Sequence, residues 1–71
     1  MIHSLEELKS GKLIGVKKLK IAEGLTEFPE EILSLSNILE ILDLSENNLT
    51  QLPNTIVLLK KLRIVFFENN K

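Results

Sequence analysis

Hydrophobic residues recur along this chain at a fixed spacing. The central stretch, residues 39–53, carries leucines at positions 39, 42, 44, 49 and 52, with Asn47 between the third and the fourth. The same spacing returns 23 residues later at Leu62, Val65, Phe67 and Asn70, and 23 residues earlier at Val16, Leu19 and Ile21. Alternating apolar and polar residues predict a half-buried strand in each unit, and the fixed period predicts a repeat architecture.

The first unit departs from the pattern in its turn. Gly24 stands where an asparagine is expected, and one residue is missing before Leu25. The spacing recovers at Pro29, which suits the first turn of a helix because its missing amide costs nothing there. We therefore expect a short helical segment over residues 30–36, on the side of the unit opposite to the strand.

The second unit, residues 39–61, is complete, whereas the third supplies a strand, residues 62–67, and an asparagine turn. The third strand is expected to have one unpaired backbone edge, which invites pairing with another chain unless it is covered. Repeat arrays normally need a capping unit at each end. Two interpretations are therefore open: these residues are the front of a longer protein, or self-association closes the edge. Replacing Ile64 with proline is expected to remove an edge amide and to test self-association.

The first fifteen residues predict an amino-terminal cap. Ser4 and Glu7 have the spacing of a capping box, in which each side chain bonds to the backbone amide of the other residue. A short helix should follow, and Gly11 suits the left-handed residue that ends it. A cap is needed because the first repeat has no neighbour on that side. We expect a helical cap over residues 1–15, and one degenerate, one complete and one truncated repeat over residues 16–71.

Strand positions divide between a buried face and an open face of the predicted sheet. The positions expected to stack in the core are Leu19, Ile21, Leu42, Leu44, Val65 and Phe67. The open, concave face is expected to carry three columns, which are Lys18, Ile41 and Ile64; Lys20, Asp43 and Phe66; and Ala22, Ser45 and Glu68. Ligands of repeat proteins usually dock on the concave face.

Three apolar side chains stand in this grid at positions expected to face solvent, and they are Ile41, Ile64 and Phe66. Contiguous exposed apolar residues favour a contact surface, and cover by a cap or a further repeat is the alternative. The candidate protein-binding residues are Lys18, Lys20, Ile41, Asp43, Ile64, Phe66 and Glu68.

The pattern over residues 16–71 resembles the 23-residue leucine-rich repeat of bacterial and Ras-group proteins, in which Leu-Pro is followed by isoleucine. The resemblance implies an α/β fold: a short leucine-rich-repeat solenoid with a parallel three-stranded concave sheet, short helices on the convex side and an N-terminal helical cap. It also implies that Asn47 is structural. Its amide is expected to bond to backbone groups of the turn and to form a ladder with Asn70, which Gly24 interrupts in the first repeat.

The whole chain is also similar to the amino-terminal segment of gammaproteobacterial leucine-rich-repeat proteins, some of which carry a protein-kinase-like domain further on. The similar segments are residues 4–13, 24–29 and 39–45, with the sequences SLEELKSGKL, GLTEFP and LEILDLS. The glycine-rich loop, catalytic aspartate loop and metal-binding aspartate of kinases do not occur in these 71 residues. Any kinase activity would therefore belong to another part of such a protein.

Composition and charge exclude several classes of function. Nine basic and ten acidic residues give a net charge of −1, so neither nucleic acid nor an anionic membrane is an expected partner. The chain has no cysteine, one histidine (His3) and no long apolar run. We therefore expect no zinc site, nucleophilic pair or membrane span. The start of the chain lacks the pattern of a secretory signal, and we expect a cytoplasmic protein that is not an enzyme and needs no cofactor or metal.

The leading hypothesis is a bacterial protein-interaction module that binds a protein partner through the concave face. Charged substitutions at Ile41, Ile64 or Phe66 should then abolish binding and leave the fold intact. A second hypothesis is a non-catalytic regulatory segment of a larger kinase-like protein. A third is a mini-protein that self-associates, for instance as a dimer, through residues 62–67. The fold alone does not choose among them.

Overall fold

The computed structural model describes residues 2–70, so Met1 and Lys71, which the predicted cap and repeats include, lie outside the described residues. The elements along the chain are helix α1 (Leu5–Lys9), strand β1 (Lys18–Lys20), a first 3₁₀-helix (Glu30–Leu35), strand β2 (Ile41–Asp43), a second 3₁₀-helix (Asn54–Leu58) and strand β3 (Ile64–Phe66). The strands form one parallel sheet in the order β1-β2-β3. The prediction of a small α/β domain, in which three parallel strands alternate with short helices, is confirmed.

The strands pair at an offset that equals the sequence period. Lys18 lies beside Ile41, and Ile41 lies beside Ile64, so each strand begins 23 residues after its neighbour. Parallel strands need a long crossover connection, and here each crossover contains one 3₁₀-helix. Equal offsets place equivalent residues of successive units side by side, because the side chains of paired residues point to the same face of the sheet.

The core is formed by inward-facing residues of the sheet and by apolar residues of the crossovers. The side chains that the spacing placed inward in the first two units are all fully buried, and they are Leu19, Ile21, Leu42 and Leu44. Ile32 and Leu35 of the first 3₁₀-helix are buried with them, as is Leu59 directly after the second. Burying one such aliphatic side chain contributes about 1.5–3 kcal/mol, so the stability of the domain is concentrated around β1 and β2.

The amino-terminal helix has the predicted capping box. The Ser4 hydroxyl accepts from the Glu7 amide at 3.0 Å, and the Glu7 carboxylate accepts from the Ser4 amide at 2.9 Å. Gly11 follows the helix with φ of +83°, a left-handed conformation that glycine adopts without steric cost. Leu8 is buried and belongs to the core, so the helix adds to the core at the β1 end of the sheet.

A backbone contact that the sequence did not predict precedes this helix. The His3 amide donates to the Lys20 carbonyl at 2.7 Å, and His3 forms a parallel bridge with Ile21. This bridge lies on the side of β1 opposite to β2, because the Ile21 amide donates to Asp43 of β2. The outer edge of β1 therefore has a partner at its carboxyl end.

The two crossover helices are 3₁₀-helices. In each, the hydrogen bonding starts from a proline carbonyl: Ile32 donates to Pro29 and Ile56 to Pro53, both at 3.1 Å. The predicted segment over residues 30–36 is thus present as Glu30–Leu35, with Pro29 immediately before the helix and not in its first turn. Short helices favour the tighter i→i+3 bonding, since a full α-helix of this length would satisfy few of its own backbone groups.

Strand β3 differs from the other two strands in its burial. Val65, which lies beside fully buried Leu42, is 38% exposed, and Phe67 is only partly buried. The prediction that Val65 belongs to the core is therefore wrong, whereas Phe67 is partly buried and packs against the core. The reason is physical: among residues 2–70, β3 has a neighbouring strand on one side only, so its inward side chains are packed on one side and open on the other.

Candidate functional site

The candidate protein-binding residues lie together on one face of the sheet. Their rows follow from the strand register, in which Lys18, Ile41 and Ile64 are neighbours, and so are Lys20, Asp43 and Phe66. Glu68 follows β3, where its amide donates to the Ser45 hydroxyl at 3.1 Å. We call this set of seven residues, Lys18, Lys20, Ile41, Asp43, Ile64, Phe66 and Glu68, the strand grid.

The charged part of the strand grid lies on β1 and β2. The Lys20 ammonium is 3.9 Å from the Asp43 carboxylate, and the Asp43 side chain is largely covered. The other Asp43 oxygen accepts from the Ser45 amide at 3.0 Å, so the carboxylate is held by a backbone donor as well as by a cation. A pair as open as this at the lysine end adds little stability, but it places a cation and a carboxylate beside the apolar part of the grid.

The apolar part of the strand grid lies on β2 and β3. Ile64 is 38% exposed and Phe66 is 42% exposed, whereas Ile41 is partly buried between its neighbours. Because Ile64 and Phe66 are two residues apart on one strand, their side chains lie on the same face. The grid therefore changes from charged to apolar across the sheet, with Lys18 and Glu68 exposed at its margins.

Asn47 is buried beside the strand grid and has a structural role. Its side-chain oxygen accepts from the amides of Glu23 and Leu25, both at 3.0 Å, and its side-chain nitrogen donates to the Ile21 carbonyl at 2.8 Å. The same nitrogen lies within hydrogen-bond distance of carbonyls in its own turn. The predicted bonding of this amide to turn backbone is confirmed, and it reaches into the preceding unit as well.

Asn70 repeats these bonds one unit later. Its oxygen accepts from the Leu49 amide at 3.0 Å, and its nitrogen donates to the Leu44 carbonyl at 2.9 Å. The first unit has no such asparagine, and Gly24 there takes a φ of +70° beside the Asn48 side chain. Each asparagine side chain therefore forms hydrogen bonds to backbone groups of its own turn and of the turn before it.

A shallow cleft of about 440 Å³ lies away from the strand grid, between α1 and the loop that follows β1. Its lining includes Leu5, Lys9 and Phe28, with glutamates at positions 23, 27, 30 and 31. No sequence motif marked this cleft. Within the part of the chain that the structure describes, no group of three or more histidine, cysteine, aspartate or glutamate residues is placed to hold a metal ion.

Comparisons with protein-family models, with curated proteins and with solved structures gave no match. Across residues 2–70, no helix has the length and apolar character needed to cross a membrane.

Proposed function

We propose that this chain is a leucine-rich-repeat interaction module, a short solenoid that binds a protein partner through the strand grid on its concave face. The repeat assignment is supported by the 23-residue offset between strands and by the equivalent bonds of Asn47 and Asn70 to successive turns. In a repeat architecture each unit contacts only its neighbours, which agrees with the pairing of β1 with β2 and of β2 with β3.

One observation carries the binding proposal: Ile64 and Phe66 are exposed together on one face of β3. Apolar side chains in a contiguous patch rimmed by charge are typical of protein contact surfaces. Aromatic residues near the centre of such a patch often supply most of the binding energy, while the polar rim excludes water. Here Phe66 would be the central aromatic, and Lys18 and Glu68 would belong to the rim.

Val57 offers a matched control, because it is also apolar and is 76% exposed. It lies on the second 3₁₀-helix, in a crossover and outside the strand grid. A partner that recognises exposed apolar surface without regard to place would contact Val57 at least as readily as Phe66. A partner of the strand grid would contact only Phe66.

The test is photo-crosslinking in cells, with p-benzoylphenylalanine placed at position 66 or at position 57, followed by identification of the captured protein. We expect a defined adduct from position 66 that is absent from position 57. The purified partner is then titrated with Ile64→Glu, Phe66→Glu and Val57→Glu variants. Loss of a central contact should weaken binding by about 30-fold or more for the first two, whereas Val57→Glu should bind as the parent chain does. Equal capture at both positions, or unchanged affinity of the two grid variants, would refute the proposal.

The proposal includes no catalytic step, cofactor, nucleic acid or membrane, and the cytoplasmic location expected from the sequence is part of it. The side chains of the buried asparagine and of the capping box bond to backbone atoms. They therefore serve the fold, and the proposal assigns recognition to the strand grid.

A further inference from the structure

The two edges of the sheet present different backbone surfaces. At the outer edge of β1, the Lys20 carbonyl already accepts from His3, and α1 packs nearby with Leu8 in the core. At the outer edge of β3, no residue within 2–70 forms a strand pair. A further strand can therefore join the sheet of this chain beside β3, and it meets an occupied edge beside β1.

The hydrogen bonds of β3 show which of its backbone groups face the open edge. The Ile64 amide donates to the Glu40 carbonyl, and the Phe66 carbonyl accepts from the Leu44 amide. Successive residues of a strand direct their backbone groups to alternate sides of the ladder. The N–H and C=O of Val65 therefore point away from β2. The expectation that proline at Ile64 removes an edge amide is wrong, because the Ile64 amide belongs to the β2–β3 ladder.

We propose that a second copy of this chain pairs with this edge, β3 against β3 in antiparallel orientation, about a two-fold axis that passes beside Val65. In that arrangement the two Val65 residues exchange both of their outward hydrogen bonds, as directly opposed residues of an antiparallel pair do. The axis places Ile64 of each copy beside Phe66 of the other on one face, and the two Val65 side chains together on the opposite face. The interface is self-complementary, so it closes as a dimer.

Charge along β3 favours the antiparallel orientation. Lys60, Lys61 and Arg63 precede the strand, and Glu68 follows it. A parallel pair would set the basic ends of the two copies together, whereas an antiparallel pair sets each basic end beside the acidic residue of the other. Arg63 is already within 3.5 Å of Glu40, and the two lysines are exposed, so positive charge remains available for a partner.

Apolar side chains are exposed both on β3 and on the crossover that precedes it. Val65 is exposed on the inward face of β3, and Leu58 is half exposed at the end of the second 3₁₀-helix. A second copy covers Val65 with the same apolar residue. Head-to-tail stacking, in which β3 of one copy adds to β1 of the next, requires the His3 bridge to open, and it would grow without limit.

The first experiment is sedimentation velocity on the purified 71-residue chain over a range of concentrations. We expect a concentration-dependent species of twice the chain mass and none larger. Val65→Pro removes the outward amide and leaves the ladder to β2 in place, so this variant should stay monomeric with a circular dichroism spectrum like that of the parent chain. Edge strands tolerate proline where the amide faces outward.

The second experiment does not depend on the folding of the proline variant. The chain contains no cysteine, so a V65C variant has a single thiol. Opposed residues of a hydrogen-bonded antiparallel pair have Cα atoms about 5.5 Å apart, within the range of a disulfide. In an I64C variant the two thiols are diagonal neighbours at about 7–8 Å or beyond, outside that range. Under mild oxidation V65C should form a disulfide dimer at least about 10-fold faster than I64C, and the K18C variant on β1 serves as the collisional control.

A parent chain that stays monomeric to high concentration would overturn the proposal, as would growth beyond a dimer. Equal rates of crosslinking for V65C and I64C would overturn the register about Val65. These results are distinct from failure of the proposed protein binding, because Val65 is not in the strand grid. An adduct at position 66 supports that binding only when the captured protein is not a second copy of the chain, which the mass and sequence of the adduct establish.

Discussion

At the β1 edge of the sheet, His3 forms a backbone bridge with the strand and α1 adds Leu8 to the core, whereas at the β3 edge the strand lies open in the described residues. Leu19 of β1 is fully buried, and Val65, at the equivalent place in β3, is 38% exposed. The two residues are of similar chemistry and occupy the same position in the repeat. Their burial therefore depends on the neighbour each strand has, and the unit pattern alone does not determine it.

Core truncation should show the largest difference between the centre and the open edge. Leu42→Ala removes a fully buried side chain between two strands, and we expect a loss of about 3 kcal/mol in the free energy of unfolding. Val65→Ala removes a partly exposed side chain, and the loss should be about 1 kcal/mol or less. Urea unfolding at low protein concentration measures both. Equal losses would mean that β3 is as well packed as β2.

Alanine substitution should cost more stability at Asn47, near the centre of the sheet, than at Asn70, near its open edge. Asn47→Ala leaves the amides of Glu23 and Leu25 and the carbonyl of Ile21 without their partner in a buried turn, and the cost should be about 2–3 kcal/mol. Asn70→Ala affects a partly exposed turn, where water replaces the lost bonds, and it should cost about 1 kcal/mol. Thermal unfolding of both variants checks the order, and a larger effect at Asn70 would contradict it.

Gly24 tests the turn of the first unit, which lacks an asparagine. Its φ of +70° is left-handed, and a Cβ there would meet only ordinary contact with Asn48. Gly24→Ala should therefore destabilise through backbone strain, by about 1–2 kcal/mol. Gly24→Asn should cost less, since asparagine tolerates this conformation. If the two variants are equally unstable, steric crowding by the added side chain, and not the left-handed backbone conformation, determines which residues are tolerated at position 24.

The smallest expected effect concerns the cap. Ser4→Ala removes the hydroxyl that accepts from the Glu7 amide and should cost about 1 kcal/mol. Ser10→Ala is the matched control, because the Ser10 hydroxyl is exposed and donates to a carbonyl of the same helix. Differential scanning calorimetry should show a lower melting temperature for Ser4→Ala only. An equal decrease in melting temperature for Ser10→Ala would show that loss of the capping box is not what destabilises the Ser4→Ala variant.

Local signals in the sequence predicted the parts of the fold that depend on nearest neighbours. The 23-residue period predicted the strand register, and Ser4 and Glu7 predicted the capping box, since both features follow from spacing within one element or one repeat. No pattern in the sequence predicted the His3 bridge, because the few residues that precede α1 are too short a stretch to show any periodicity. The exposure of Val65 depends on what lies beyond β3, which no pattern within the unit encodes.

The strand grid was also predictable as a set of neighbours, because alternation along each strand and the period between strands together fix which residues share a face. It was not predictable which backbone N–H and C=O groups of β3 face β2 and which face the open edge. Side-chain alternation does not say whether the amide of Ile64 or that of Val65 turns towards β2, and that choice requires the hydrogen bonds of the assembled ladder.

Amide hydrogen exchange by NMR tests the contrast between a closed and an open edge most directly. In dilute solution, where the chain is monomeric, the Ile64 and His3 amides should exchange slowly because both donate to carbonyls of neighbouring strands. The Val65 amide should exchange at nearly the rate of an unstructured peptide. A Val65 amide as protected as that of Ile64 in the monomer, or a His3 amide with no protection, would contradict the account.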